Sequence, residues 1–401
     1  MKSAVTAALA LVGAALVGAG ATYAVMRPAA PASLAAPFLP AGLVRNEDFQ
    51  RFLQVYEDIR LDTIWPNTPN QLLTGAINGM VGTLHDQFSD YLSPSAMQAL
   101  NQELGASFGG IGVVMDVNRQ GQFVIIDVLS GGPARRAGVH ANDVIVGVNG
   151  KSVRGESADQ VAAEIRGRAG TPVTITLQRG SQTFSVTIRR AQINVPTVFT
   201  EMLPHHVGYM NISEFGYHTG PQVLSAYKKL RAEGARGILL DLRNNPGGDL
   251  AQCQIAAGAF VPPGPLVRLE YKNASLDETL DSPGPGTRLP VVVMVNGDTA
   301  SAAEILSAAI QQRGVGILVG TRTFGKGIVQ EIEPLAGGAY LKLTVAKYLT
   351  PNGDYIEHKG LTPNIIVPEP ADISPSDVLS QDPQLARGYA ILLQRMAAQG
   401  S

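Results

Sequence analysis

Three stretches of this chain set chemically capable side chains among glycines and small residues. In Asn296-Gly-Asp-Thr-Ala-Ser301-Ala-Ala-Glu304, an apolar run over 290–295 ends in a turn, and a serine stands where a helix should begin. A strand-to-helix turn of this kind exposes the hydroxyl and aims helix-end N–H groups at whatever it attacks. A serine there could equally do no more than cap the helix. In Thr323-Phe-Gly-Lys-Gly-Ile-Val-Gln330, a lysine sits between two glycines at the entrance to an apolar strand. Pointed inward, its amine loses water, and desolvation can bring a lysine pKa from about 10.4 toward ~7, where the neutral amine is a usable base. Gln330, four residues on and on the same side of a strand, could orient that amine. The plain alternative is a solvated surface lysine. In Asp241-Leu-Arg-Asn-Asn-Pro-Gly-Gly248, paired glycines close an apolar strand and leave backbone N–H groups aimed outward. That is either a candidate oxyanion hole or only a tight turn.

For these stretches to meet, regular elements must carry them. From Pro196 onward strand and helix patterns alternate: strands over 206–213, 237–242 and 290–295, helices over 219–233, from Leu250, and over 301–313. Such alternation predicts an α/β core with parallel strands. Thr219 with Gln222 predicts a capping box at the first of those helices. Beyond Gly314 the pattern is mainly strand to Val367, and 377–398 reads as helix. Between Gly105 and Arg190 the apolar period is two, at Val113, Met115, Val117, Phe123 and Ile125, then over 173–177 and 184–188, with short helices at 133–137 and 158–166. This is the pattern of a small β-barrel-like module. Ahead of it, Phe49, Phe52, Leu53 and Tyr56, then Leu72, Leu73, Ala76, Met80 and Leu84, have helical spacing and predict a small helical domain.

The middle module carries Phe108-Gly-Gly-Ile-Gly112 before a strand, and downstream Pro133, Ala137-Gly138, Asn142-Asp143, Ile145 and Asn149-Gly150. A glycine loop lets backbone N–H groups approach a ligand carboxylate, and an exposed strand edge beside it can take a peptide as an added strand. By itself the loop could be a simple hairpin. The whole set resembles a PDZ domain in the arrangement found in bacterial proteases. The resemblance implies a groove lined by Gly110, Ile111, Gly112 and Val113 that binds apolar C-termini.

Taken in order, DLRNNPGG, the serine turn and TFGKGIVQ, downstream of the PDZ-like module, resemble the C-terminal processing peptidases, the tail-specific protease family. The resemblance runs over about residues 70–367 and includes Gly79-Met80, Leu84, Arg166-Gly167, Gly170-Thr171, Lys347-Tyr-Leu-Thr-Pro351 and Gly360. It implies a serine endopeptidase without metal or cofactor, in which Ser301 is the nucleophile, Lys326 the base and Gln330 the residue that steadies the lysine. The oxyanion donors it implies are the N–H groups of Ala302 and of Gly247 or Gly248, with Gly248 preferred. Arg166 is a candidate relay between module and site. The implied fold is mixed α/β: a peptidase core of the crotonase-like, tail-specific protease type over 191–370, an inserted PDZ domain over 105–190, and helical segments over 44–104 and 371–401. Two positions depart from the family pattern: Thr299 stands where a serine is more usual, and Asn364 where an aspartate is common.

Composition agrees with a folded, soluble protein of more than one domain. A length of 401 residues suggests two or three domains. With 31 basic and 33 acidic residues, a net charge of -2 argues against nucleic acid as a partner. The single cysteine, Cys253, lies in an apolar run and reads as a small buried hydrophobe. After Lys2, residues 4–26 are apolar or small; they could span a bilayer as an anchor or serve as a long signal peptide ending near residue 27. Residues 28–43 form an Ala/Pro spacer. The remainder is then exported, to the periplasm or the extracytoplasmic face of a membrane, where its partners are protein substrates with apolar C-termini. Helices at both ends could also form a homo-oligomer interface. None of the six histidines sits in a glycine-framed stretch, so a Ser–His–Asp triad is the weaker mechanism. Two rival functions remain: a catalytically inactive PDZ-containing scaffold, opposed by the intact Ser301, Lys326 and Gln330, and an acyl-CoA enzyme, opposed by the PDZ module and the export segment.

Overall fold

The computed structural model describes residues 46–104, 107–118, 120–129, 131–194, 196–368 and 382–399. The apolar segment over 4–26, the Ala/Pro spacer and residues 371–381 lie outside the described residues.

The N-terminal region begins with α1 (Glu47–Asp62) and α2 (Pro69–Gly82). The Asn46 side chain accepts the first free N–H groups of α1, and Thr68 with Gln71 forms a capping box on α2. Neither helix buries a side chain, and Trp65 between them stays exposed. After them, β1 (Asp90–Leu92) and α3 (Pro94–Leu104) dock onto the rest of the molecule, with Leu92, Met97 and Leu100 packed against Ile332.

The middle module comprises β2 (Ser107–Gly110), β3 (Val113–Val117), β4 (Phe123–Val128), α4 (Pro133–Arg136), β5 (Val144–Val148), β6 (Lys151–Ser152), α5 (Ala158–Ile165), β7 (Pro172–Arg179), β8 (Gln182–Arg189) and β9 (Ala191–Asn194). The entering strand β2 and the leaving strand β9 pair antiparallel, so the module sits on a two-stranded stalk. Its sheet runs β3-β4-β5-β7-β8, with β6 on β5. Alternate residues such as Val173, Ile175 and Leu177 point inward and meet Val161 and Ile165 of α5, which is why the period of two was legible.

The core consists of β10 (Val198–Leu203), β11 (Val207–Ile212), α6 (Thr219–Ala232), β12 (Gly237–Asp241), α7 (Leu250–Ala257), β13 (Gly264–Tyr271), β14 (Glu278–Ser282), β15 (Val291–Val295), α8 (Ala302–Gln312), β16 (Gly316–Gly320), β17 (Ile328–Pro334), β18 (Tyr340–Leu349), β19 (Ile365–Ile366) and α9 (Pro383–Gln399). One sheet runs β10-β11-β12-β15-β16-β19 and is parallel except at its β10 edge. Strands β12 and β15 are buried along their whole length. Ile238, Leu240, Val291 and Val293 pack with α6, α7 and α8 on one face, whereas Leu239, Val292 and Met294 pack with α9 on the other. Continuous apolar strands covered on both faces are what a parallel sheet requires. The glycine turn and the serine turn therefore leave the same, carboxyl edge of two neighbouring strands. A second, antiparallel sheet, β1-β18-β13-β14 with β17 on β18, brings the lysine stretch to that edge.

Helix α6 does not start with the expected capping box. His218 is its N-cap and makes no side-chain cap bond. The Thr219 hydroxyl instead bonds Thr197 and the Glu214 carbonyl, and Gln222 accepts the Thr197 N–H at 3.0 Å. Partners on the chain leading into β10 have displaced the local cap.

Candidate active site

The serine turn is fixed before the serine is reached. Buried Thr299 donates its hydroxyl to the Leu242 carbonyl at 2.8 Å and accepts the Asn296 N–H at 3.0 Å. A serine hydroxyl could make the same bonds, which accounts for threonine standing at this position. The Ala300 N–H donates to the Asn245 carbonyl at 2.9 Å, tying serine turn to glycine turn. Ser301 follows at φ 53°, ψ −119°, immediately before α8. Such a conformation costs a non-glycine residue about 1–3 kcal/mol and persists only where surrounding bonds impose it.

The main restraint is Glu304, one turn into α8 and fully buried. Its Oε2 accepts the Ser301 N–H and the Lys326 N–H, each at 2.9 Å. Its Oε1 accepts the Gly325 N–H at 2.8 Å and the Thr323 hydroxyl. Sharing one oxygen places the main-chain nitrogens of Ser301 and Lys326 less than about 6 Å apart. Burial raises the Glu304 pKa above the ordinary carboxylate value, and the donated hydrogen bonds only partly oppose it.

Lys326 is 2% exposed, with its Nζ lying 4.3 Å from the centre of the Phe88 ring. Burial, aided by the charge of Lys342, lowers its pKa from 10.5 to about 7, against the pull of Glu357, Asp86 and Glu304. At neutral pH a large fraction of the amine is thus unprotonated. Gln330 is also fully buried: its Nε2 donates to Thr344 Oγ1 at 3.0 Å, and its Oε1 has no hydrogen-bond partner among the described residues. Simple alternation along the strand does not account for its direction, since a bulge between Val329 and Gln330 shifts the register against β18.

The glycine turn is equally constrained. Asn245 is buried, donates to the Ile212 carbonyl at 2.7 Å and accepts the Gly247 N–H at 2.8 Å. That bond consumes the Gly247 donor. The N–H groups of Gly248 and Ala302 have no partner among the described residues, and both residues line the small pocket that contains Ser301. Gly248 has φ +133°, and a Cβ there would lie 2.3 Å from the Phe215 carbonyl oxygen. A Gly248→Ala protein is therefore expected to fold with a displaced turn and to lose on the order of 10²-fold in kcat, as when one oxyanion donor is removed. Active-site turnover with wild-type kcat in that variant would remove Gly248 from the donor set. Within the same turn, the Arg243 guanidinium makes two bonds to Asp241 at 2.7 and 2.9 Å and reaches Asp382, at the start of α9, at 2.6 Å.

Known proteins resemble this chain in sequence and fold. The pattern of peptidase family S41 matches residues 206–367, and that of the PDZ domain residues 124–179. The carboxy-terminal processing protease CtpA of Bacillus subtilis (strain 168) is 37% identical over 322 residues, covering 80% of this chain and 69% of that protein. The chain belongs to peptidase family S41. A probable CtpA-like serine protease of Staphylococcus saprophyticus is 35% identical over 332 residues, 82% of this chain and 67% of that one. Among solved structures, a Bacteroides fragilis NCTC 9343 chain assigned to the S41 proteases aligns over 85% of this chain and 97% of its own, at TM-score 0.53 and 19% identity, a likeness of fold alone.

In this S41 chain the PDZ groove is a cavity of about 250 Å³ between β3 and α5. Ile111, Gly112 and Val113 line it from the strand side and Arg166 from the end of α5. Gly110 does not line it; it closes the stalk by pairing with Ala191. Sequence reasoning thus put Gly110 one residue too far into the groove, because the boundary between stalk and module leaves no mark in a glycine run. Cys253 is fully buried, with its Sγ 3.1 Å from the Ala302 carbonyl, and burial raises its pKa. It is packing, not a nucleophile. No histidine hydrogen-bonds Ser301 among the described residues. Residues without an assigned role in the sequence reading are Glu304, Asn245, Asp86 and Phe88. Of these, Glu304 and Asn245 lay inside the quoted stretches; only their burial marks them.

Proposed function

We propose that this protein is a serine endopeptidase of the C-terminal processing type, which cleaves exported proteins with Ser301 as nucleophile and Lys326 as base. The observation that carries the reading is a buried lysine, with pKa brought to about 7, whose loop is clamped to the serine turn by one carboxylate. Neutral Lys326 takes the Ser301 proton, and Oγ bonds to the scissile carbonyl carbon. The negative charge that develops on the carbonyl oxygen is met by the N–H groups of Ala302 and Gly248. Collapse breaks the C–N bond, and the Lys326 ammonium gives its proton to the leaving amine. Water then enters, loses a proton to Lys326 and releases the acyl group, and the lysine returns that proton to Oγ. Gln330 Oε1, an acceptor without a donor among the described residues, is suited to hold an N–H of the amine so that its lone pair faces the serine.

Beside Ser301 the pocket holds about 10 Å³, between Leu250, Ile305, Ile328 and Tyr348. Room for roughly one water suits a small apolar side chain on the acyl side of the cut. The PDZ groove reads the substrate's C-terminus, with Arg166 at its edge as the relay. The apolar segment at 4–26 supports export and action at the outer face of a membrane.

The test compares an unstructured substrate ending in a free apolar carboxyl group with its C-terminal amide. The free tail is expected to give the lower KM at similar kcat, and Ser301→Ala to cleave neither. Equal KM values would remove the PDZ domain as reader. Cleavage by Ser301→Ala would remove the nucleophile.

A further inference from the structure

The helices α1 and α2 leave the N-terminal region largely open to solvent, yet Phe88 and Ser89, just beyond them, are buried. What buries them is the lysine site. Asp86 accepts the Ser89 hydroxyl at 2.6 Å and the Phe88 N–H at 3.0 Å. Ser89 Oγ in turn accepts the Thr344 N–H at 3.0 Å. Thr344 is therefore fixed through its main chain. A hydroxyl has a single proton. With the Ser89 proton committed to Asp86, Ser89 Oγ can only accept, which sets the Thr344 N–H against it and presents Thr344 Oγ1 to the Gln330 NH₂, leaving Oε1 turned away. The carboxylate at 86 thus holds, through Ser89, the residue against which the Gln330 amide is set. Were the amide reversed, an NH₂ would confront an amine that is itself a donor.

We propose that residues 86–89 belong to the catalytic apparatus, Asp86 as a positioning residue that sets the Gln330 amide through Thr344, and the Phe88 ring as the wall on which the Lys326 amine rests. The inference rests on the Ser301–Lys326 reading. The charged groups around the amine are Asp86 from this segment, Lys342 from β18, Glu357 from the loop after β18, and Glu304 from α8. Removing the Asp86 charge withdraws support from the ammonium, so the lysine should lose its proton at lower pH. Removing the ring with Phe88→Leu, which keeps the site dry, should act in the same direction.

The experiment follows kcat of the full chain on β-casein at saturating substrate from acidic to alkaline pH. Asp86→Ala and Thr344→Val should each lower the plateau on the order of tenfold or more with KM nearly unchanged. Thr344→Ser should restore it. Asp86→Asn should move the acid limb to lower pH. Profiles of Asp86→Ala and Thr344→Val that superimpose on the wild type's overturn the proposal. So does a loss matched entirely by the unfolded fraction in a thermal melt, with the limb unmoved in Asp86→Asn. Lys326→Ala, run in parallel, separates the two levels: an active Lys326→Ala protein removes the dyad itself, whereas an inactive one beside unaffected Asp86 variants removes only the positioning role.

Discussion

Replacing Lys326 with methionine is expected to abolish turnover while making the folded protein more stable at neutral pH. Loss of the base should cost on the order of 10⁴-fold or more in kcat, since nucleophile and base act as a unit. The gain in stability follows from the same burial that makes the base. The lysine pKa is 10.5 for the free side chain and about 7 in the folded protein. Between those values the unfolded chain binds the extra proton, so stability is full above 10.5 and falls as pH drops toward 7, with no further change below. At about 1.4 kcal/mol per unit, the deficit near neutrality is about 4 kcal/mol. Methionine gives up the attraction between the ammonium and the Phe88 ring, which is worth at most about 2 kcal/mol, so the variant should still come out ahead. Thermal melts should show its advantage at neutral pH and a shrinking one as pH approaches 10.5. A variant less stable than wild type at neutral pH would mean that the amine is not desolvated.

Glu304→Gln should have the second-largest effect, and in the opposite sense for stability. The carboxylate serves four donors from two loops, two on each oxygen. A glutamine keeps one acceptor oxygen and sets an NH₂ against the other pair. At about 1–3 kcal/mol for each buried donor left unmatched, the loss is roughly 2–6 kcal/mol. It is partly offset because burial raises the Glu304 pKa: the carboxylate charge is itself a cost, absent below the ordinary value of 4.5 and incurred as pH rises through the folded value. The loops bearing Ser301 and Lys326 would then shift apart, and displacement of about 1 Å is worth on the order of 10²-fold in rate. Urea unfolding and single-turnover cleavage measure the two effects separately. Wild-type kcat in Glu304→Gln would show that the clamp is dispensable.

What the sequence made legible is what local chemistry writes into it. Glycines and small residues around Ser301, Lys326 and Gly248 can be seen because those turns tolerate little else. The two-sided burial of β12 and β15 is visible as unbroken apolar runs. Glu304 was in plain view three residues after the serine, but an acidic residue in a first helical turn ordinarily answers the helix dipole at the surface. Only closure of the lysine loop over α8 makes it a buried hub. Asp86 and Phe88 lie in a short connection without periodicity, more than 200 residues before Lys326, so nothing nearby announces their partner. The choice between Gly247 and Gly248 stayed open until the Asn245 side chain was seen to occupy one of them. The failed capping box at Thr219 teaches the converse, since a good local signal yields when distant groups offer better bonds.

The link between Arg243 and Asp382 has a temporal side. A guanidinium in the interior needs its full complement of counter-charge, and here part of it arrives from the head of the final 17-residue helix. Asp382 comes 139 residues after Arg243, so in synthesis from the amino end Ser301 exists before the segment that finishes its neighbouring turn. Until residue 382 is in place, the guanidinium has Asp241 as its one carboxylate partner among the described residues, and the turn that carries Gly248 is incompletely neutralised.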